Sequence, residues 1–150
     1  MRIADILSEE VIKVNLESQE KSEVFAELIE LLARARKISD RDAALRAIEE
    51  REAMGTTGIG RGIAIPHGKD SSIKHLTAAL GISRQGIEYE AMDDQPVHLV
   101  FLVLAEANNP GPHVQCLAEI ARLLQLPGFY KRLLEARSPR EALDIIRSEE

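Results

Sequence analysis

The segment Val97-His98-Leu99-Val100-Phe101-Leu102-Val103-Leu104 decides the fold class. Nearly every residue in it is β-branched or large and apolar, without the alternation of a half-exposed strand. A run of that kind is a strand buried on both faces, which places it centrally in a sheet. Working outward, residues 76–82 read as a second strand, and the stretch between the two is turn-rich with no helical period. Parallel neighbours need a long crossover, so this pair points to a mixed sheet. Further upstream, Ile63-Ala64-Ile65 is a short β-branched strand ending at Pro66, and residues 11–16 alternate like another short strand.

Helical patterns surround these strands. Ser18 is placed as an N-cap, followed by Val24, Phe25, Leu28, Ile29, Leu31, Leu32 and Ala35 at helical spacing. Ser39 and Asp42 are spaced as a capping box for a second helix that ends near Met54-Gly55. Residues 108–112 (Asn-Asn-Pro-Gly-Pro) read as a loop. His113 then opens an amphipathic helix with Leu117, Ile120, Ala121 and Leu124 on its apolar side, broken at Pro127-Gly128. Residues 129–136 and 139–146 read as two closing helices, the second capped by Ser138 with Glu141 three residues on. The expected fold is α/β: one domain over residues 1–150, a mixed sheet flanked by helices, with no repeat, linker or low-complexity tract.

Composition narrows the function classes. A chain of 150 residues buries a real core as one domain. With 25 acidic and 19 basic side chains the formal charge is −6, the wrong sign for a nucleic-acid binder, and five aromatics leave few stacking platforms. The single cysteine, Cys116, forms no intramolecular disulfide and excludes Cys-rich zinc sites. The N-terminus is interrupted by charge and has no signal-peptide apolar region, and the longest apolar run, residues 99–105, is too short to span a bilayer. The chain reads as acidic, soluble and cytoplasmic.

The chemistry concentrates in residues 55–68, GTTGIGRGIAIPHG. Nucleotide-loop readings fail on spacing, because Ile63 stands where both the dinucleotide and the P-loop patterns need glycine, and Asp70 stands where the P-loop needs Ser or Thr. What remains is His67 at the end of a short strand, among glycines whose N–H groups are able to converge on an anion. A histidine near its ordinary pKa suits reversible nucleophilic work. A capped loop histidine without chemistry fits the same spacing. Arg51 and Arg61 flank the loop, and a guanidinium there would grip a phosphate. His113 is either a solvated helix-start residue or a second site histidine. His75 reads as solvated and His98 as a strand-end polar residue. No two histidines stand at i, i+3 or i, i+4, so no metal is expected. Cys116 follows His113 by three residues on the helix, but cysteine on an apolar face is more often plain core.

The run Arg51-Glu52…Thr57-Gly58-Ile59-Gly60…Gly62-Ile63-Ala64-Ile65-Pro66-His67-Gly68-Lys69 closely resembles the active-site signature of the fructose/mannitol-type IIA family of the phosphoenolpyruvate-dependent phosphotransferase system. The resemblance extends to residues 3–7, 97–102 and 113–115, and so covers essentially the whole chain. It implies the type-2 IIA fold and a phosphotransferase acting through phosphohistidine. His67 would take the phosphoryl group from the phosphohistidine of HPr or a paralogue, at Nε2, and pass it to a IIB component or present it as a signal. Arg51 matches the family's active-site arginine and His113 its second histidine; Gly58, Gly60, Gly62 and Gly68 would supply phosphate-binding N–H groups. The scheme needs no metal or cofactor, and a membrane enters only through a permease complex. A chain without fused modules resembles the nitrogen-regulatory branch. A sugar-specific component feeding a IIB/IIC permease is the alternative, and a regulatory binding protein indifferent to phosphorylation is the reading from another class.

Overall fold

The computed structural model describes residues 1–150. The apolar segment forms β6, Val97–Glu106, and every side chain from Leu99 to Leu104 is fully buried. On one side β6 pairs antiparallel with β5, Thr77–Ile87, which extends five residues beyond the expected strand. On the other side it pairs parallel with two short strands in succession, β3 (Ile63–Ala64) and β4 (His67–Asp70). Their register is continuous: Ile63 faces Leu99 and His67 faces Val103, the same offset of 36. The break at Ile65-Pro66 follows from proline's missing N–H, yet the Pro66 carbonyl still accepts from Val103 N–H at 2.9 Å. The sheet is completed by β1 (Ile12–Lys13), parallel to β5, and β2 (Gly58–Gly60), antiparallel to β3, giving the order β1-β5-β6-β3-β2. The sheet is mixed, as expected. Of the expected strand over residues 11–16 only Ile12 and Lys13 form a ladder; Val11 belongs to a 3₁₀ turn, while Leu16 N–H still donates to the Ile82 carbonyl of β5 at 2.9 Å.

Five helices flank the sheet: α1 (Lys21–Arg34), α2 (Arg41–Ala53), α3 (Pro110–Leu124), α4 (Phe129–Leu134) and α5 (Pro139–Ser148). Three starts differ from the sequence reading. Helix α1 begins after Glu20, not after Ser18, because the preceding chain is held extended. Glu88 N–H donates to the Gln19 carbonyl at 2.8 Å, and the N–H groups of Glu17 and Ser18 are both taken by the Glu27 carboxylate. Helix α2 is capped by Asp40, whose Oδ1 accepts from Ala43 N–H at 3.0 Å, one residue later than the Ser39 box. Helix α3 opens at Pro110, so residues 110–112 are its first turn rather than loop. Prolines are tolerated there because first-turn N–H groups have no partner inside the helix.

The buried stripe of α3 is Cys116, Ile120 and Leu123, while Leu117 and Leu124 are partly buried and Ala121 is exposed. Cys116 is therefore core, and burial pushes its thiol pKa up to about 12. Helix α4 stops at Leu134, two residues short of the expected end. Helix α5 is capped as the spacing predicts, Ser138 Oγ accepting from Glu141 N–H at 3.1 Å. No helix is long and apolar enough to cross a membrane.

Candidate active site

His67 is the first residue of β4, at the point where Pro66 interrupts the pairing. Its Nδ1 lies 2.8 Å from the carbonyl oxygen of Ile65. A carbonyl only accepts, so the neutral ring carries its proton on Nδ1 and donates it there. That tautomer leaves Nε2 with its lone pair, the state a nucleophile requires.

A surface cavity of about 400 Å³ opens beside this ring, bounded by α2, β4 and the first turn of α3. Helix α3 contributes His113, whose ring centroid is 5.5 Å from that of His67, the planes crossing at 71°. The His113 Nε2 is buried and has no hydrogen-bond partner. Burial, then the neighbouring His67 and Lys69, hold its pKa below the usual histidine range, so the imidazole rests neutral. Helix α2 contributes Arg51 from its last turn, with Nη1 donating to the Gly55 carbonyl at 2.9 Å. The first turn of α3 also brings the positive end of a helix dipole to the cavity, favourable to an anion.

Gly68 explains how Arg51 comes to share a cavity with His67. A Cβ at Gly68 would lie 2.8 Å from the Ala47 carbonyl oxygen of α2, inside van der Waals contact. Only glycine lets the helix backbone rest directly on β4, and Arg51 sits one helical turn beyond Ala47. Gly68 lines the cavity, with its structural duty toward α2.

The other expected phosphate-binding glycines lie elsewhere. Gly58, Gly60 and Gly62 belong to the β2–β3 hairpin and do not line the His67 cavity. Gly58 packs beneath Tyr89 and Ala91, and Gly60 beside Asp93. Gly62 has φ +81° and no room for a side chain, because a Cβ would strike the Tyr130 hydroxyl. Its carbonyl accepts from the N–H groups of His98 and Leu99. Their N–H groups are thus not gathered on one anion at His67; the glycines shape the hairpin. Arg61 also stays outside the cavity, its N–H bonded to Asp93 at 3.0 Å. His75 is exposed, and His98 holds its Nδ1 against the Ser83 carbonyl at 2.8 Å.

The cavity also holds residues that sequence reasoning did not single out as functional: Lys69, Glu50, Glu106, Met54 and Val114. Met54 and Val114 are 78% and 64% exposed, which makes an apolar rim around a polar floor. The signal for Lys69 was available, since residues two apart on a strand share a face. Met54 and Val114 carried none, because an apolar residue off a helix's buried stripe or at its end does not show from sequence which cavity it borders.

The result is a mixed-sheet α/β domain that gathers a strand-end histidine, an arginine and a second histidine around one cavity, an arrangement suited to holding a phosphoryl group. Residues 5–149 match the family described as phosphoenolpyruvate-dependent sugar phosphotransferase system, EIIA 2, and the chain belongs to that family. It is 42% identical over 146 residues to the fructose-specific EIIABC component of Bacillus subtilis, covering 97% of this chain and 23% of that protein. It is 34% identical over 150 residues to a nitrogen regulatory protein of Bradyrhizobium diazoefficiens, covering 97% of this chain and 95% of that one. The crystal structure of the nitrogen regulatory protein IIA-Ntr from Neisseria meningitidis superposes with a TM-score of 0.88 at 30% identity, over 96% of this chain and 98% of that chain.

Proposed function

We propose that this chain is a phosphocarrier in which His67 Nε2 accepts a phosphoryl group from the phosphohistidine of an HPr-type carrier. The observation that carries the reading is the Nδ1–H bond to the Ile65 carbonyl, which commits the other nitrogen to attack, in a cavity shared with Arg51 and His113. In the transfer, the Nε2 lone pair forms the new N–P bond as the donor's N–P bond breaks. The donor ring keeps that bonding pair and leaves as a neutral imidazole. His67 retains its Nδ1 proton, and the Ile65 carbonyl stabilises the positive charge that develops on the ring. Such loose transition states are served by positioning and charge stabilisation. Arg51, the positive end of α3 and a donor on His113 supply both, and Gly68 holds α2 close.

The relatives divide over what the phosphoryl group is for. Whole-chain similarity to nitrogen regulatory proteins, with the close structural likeness to IIA-Ntr, supports a regulatory carrier whose phosphorylation state is read by a partner protein. The 42% identity to a fructose-specific component supports the second reading, delivery to a IIB component of a permease. On either reading the chain works in the cytoplasm, as one domain over residues 1–150, and meets the membrane only through a permease complex. Intact mass after incubation with phosphoenolpyruvate, enzyme I and HPr, beside His67→Ala, tests the proposal. One acid-labile phosphoryl gain, absent in the variant, supports it. No gain with any phosphorylated carrier overturns it in favour of a phosphorylation-independent binding protein.

A further inference from the structure

A largely buried polar chain links Lys21 of α1, Glu52 of α2, Thr57 and Tyr89, and none of the four lines the His67 cavity. Glu52, next to Arg51 in sequence, has a side chain 7% exposed and ion-paired with Lys21 at 3.2 Å. Its carboxylate accepts from both the N–H (3.0 Å) and the hydroxyl of Thr57. The Thr57 hydroxyl spends its one proton on that carboxylate, so the buried Tyr89 hydroxyl, 2.7 Å away, donates to the Thr57 oxygen. The ammonium of Lys21 lies 5.0 Å from the centre of the Tyr89 ring. Glu52, Thr57 and Tyr89 thereby satisfy one another within a largely buried setting, where an alternative arrangement is costly.

The backbone of Thr57 connects the chain to the site in two directions. The Thr57 carbonyl accepts from Ile65 N–H at 3.0 Å, and the Ile65 carbonyl is the acceptor that holds the His67 Nδ1 proton. Toward the other side, Glu52 closes the loop after α2 by its backbone carbonyl, which accepts from Gly55 N–H at 3.1 Å, and by its side chain at Thr57. The carbonyl of that same Gly55 receives the Arg51 guanidinium. One residue pair thus underlies the anchor of the nucleophile and the anchor of the cation.

Resting on the phosphocarrier reading, we infer that Glu52 and Thr57 are positioning residues for phosphoryl transfer, setting the His67 tautomer and the place of Arg51 together. They touch no reacting atom. Their effect passes through the carbonyls of Ile65 and Gly55.

The test compares wild type with Thr57→Val, Thr57→Ser and Glu52→Gln in two measurements. The first is the rate of phosphoryl uptake from a phosphorylated carrier protein at varied carrier concentration. The second is the ring ¹⁵N spectrum of His67, which reports where the proton sits and needs no donor. Thr57→Val and Glu52→Gln are expected to lower the maximal rate by about tenfold to a hundredfold, since small misplacements of reacting groups cost that much. The half-saturating carrier concentration stays near the wild-type value, the His67 spectrum moves from a single Nδ1–H tautomer toward a mixture, and Thr57→Ser restores both. A folded Thr57→Val or Glu52→Gln with wild-type maximal rate and an unchanged tautomer overturns the inference. So does a Thr57→Ser as impaired as Thr57→Val, which would assign the loss to packing alone. If wild type accepts no phosphoryl group, the phosphocarrier reading fails, and the tautomer measurement still decides the role of the pair.

Discussion

Placing a phosphoryl group on His67 should convert His113 from a neutral imidazole to a cation near neutral pH. In the free protein His113 is held below the usual histidine range by burial, and its Nε2 has no partner. Phosphorylation adds about −1.5 to −2 charges by analogy with phosphoesters. The ring centroids are 5.5 Å apart, which serves as the charge separation. Coulomb's law at an effective dielectric constant of about 20 then gives roughly 3 kcal/mol per unit charge, or about two pKa units. Even at the dielectric constant of bulk water the gain is roughly half a unit per charge.

The sign follows directly. The phosphorylated form binds a proton that the free form does not, over the window between the lowered pKa of the free state and the raised pKa of the phosphorylated state. Within that window the equilibrium for phosphorylation weakens as pH rises, by up to about tenfold per pH unit. Proton-detected titration of His113 in both states reads the two pKa values, and the transfer equilibrium against a carrier protein, measured from pH 5 to 9, reads the linkage. An identical His113 pKa in the two states, or a transfer equilibrium equally pH-dependent in His113→Gln, would refute the reasoning.

Gly68→Ala should destabilise the fold by about 1–3 kcal/mol through overpacking against Ala47, lowering Tm by several degrees, and should slow transfer by lifting α2 and Arg51 away from His67. A variant with wild-type melting and transfer would count against the close-approach account. Arg51→Ala should slow phosphoryl transfer by roughly two orders of magnitude, the scale of one lost charge-stabilising donor, with urea unfolding little changed. Because the folded-state pKa of His113 is depressed, the unfolded chain takes up the proton first, so stability falls as pH drops through the unfolded value. His113→Gln should remove that part of the acid sensitivity in urea titrations. Cys116 is fully buried with its thiol pushed up to about 12, so thiol reagents should modify it only at the rate of unfolding. Fast modification of the native protein would contradict its placement in the core.

Residues 97–104 declared a central strand because their apolar pattern admits no solvent-facing side, and that reading holds over the whole of β6. Helix existence was equally legible, since amphipathic spacing is a local property. Helix starts were not. Ser18 has the chemistry of a cap, but its N–H is claimed by Glu27 and its chain is held by the bond from Glu88 to Gln19, partners a local reading does not weigh. The turn Asn-Asn-Pro-Gly-Pro carries every mark of a loop, yet Pro110, Gly111 and Pro112 form the first turn of α3, where a missing N–H costs nothing.

The candidate site divides in the same way. By itself the sequence determined that His67 would follow a short buried strand, that Arg51 would stand at the end of a preceding helix, and that glycines would crowd the stretch between them. These rest on residue type and near neighbours. Only the tertiary structure decided which glycines serve which purpose. Gly68 admits Ala47 from a helix some twenty positions away, and Gly58 admits Ala91. It alone decided that His113 faces His67 and that the Ile65 carbonyl sets the free nitrogen. Each of these depends on the distance between atoms remote along the chain, and that distance exists only once the helices have packed on the sheet.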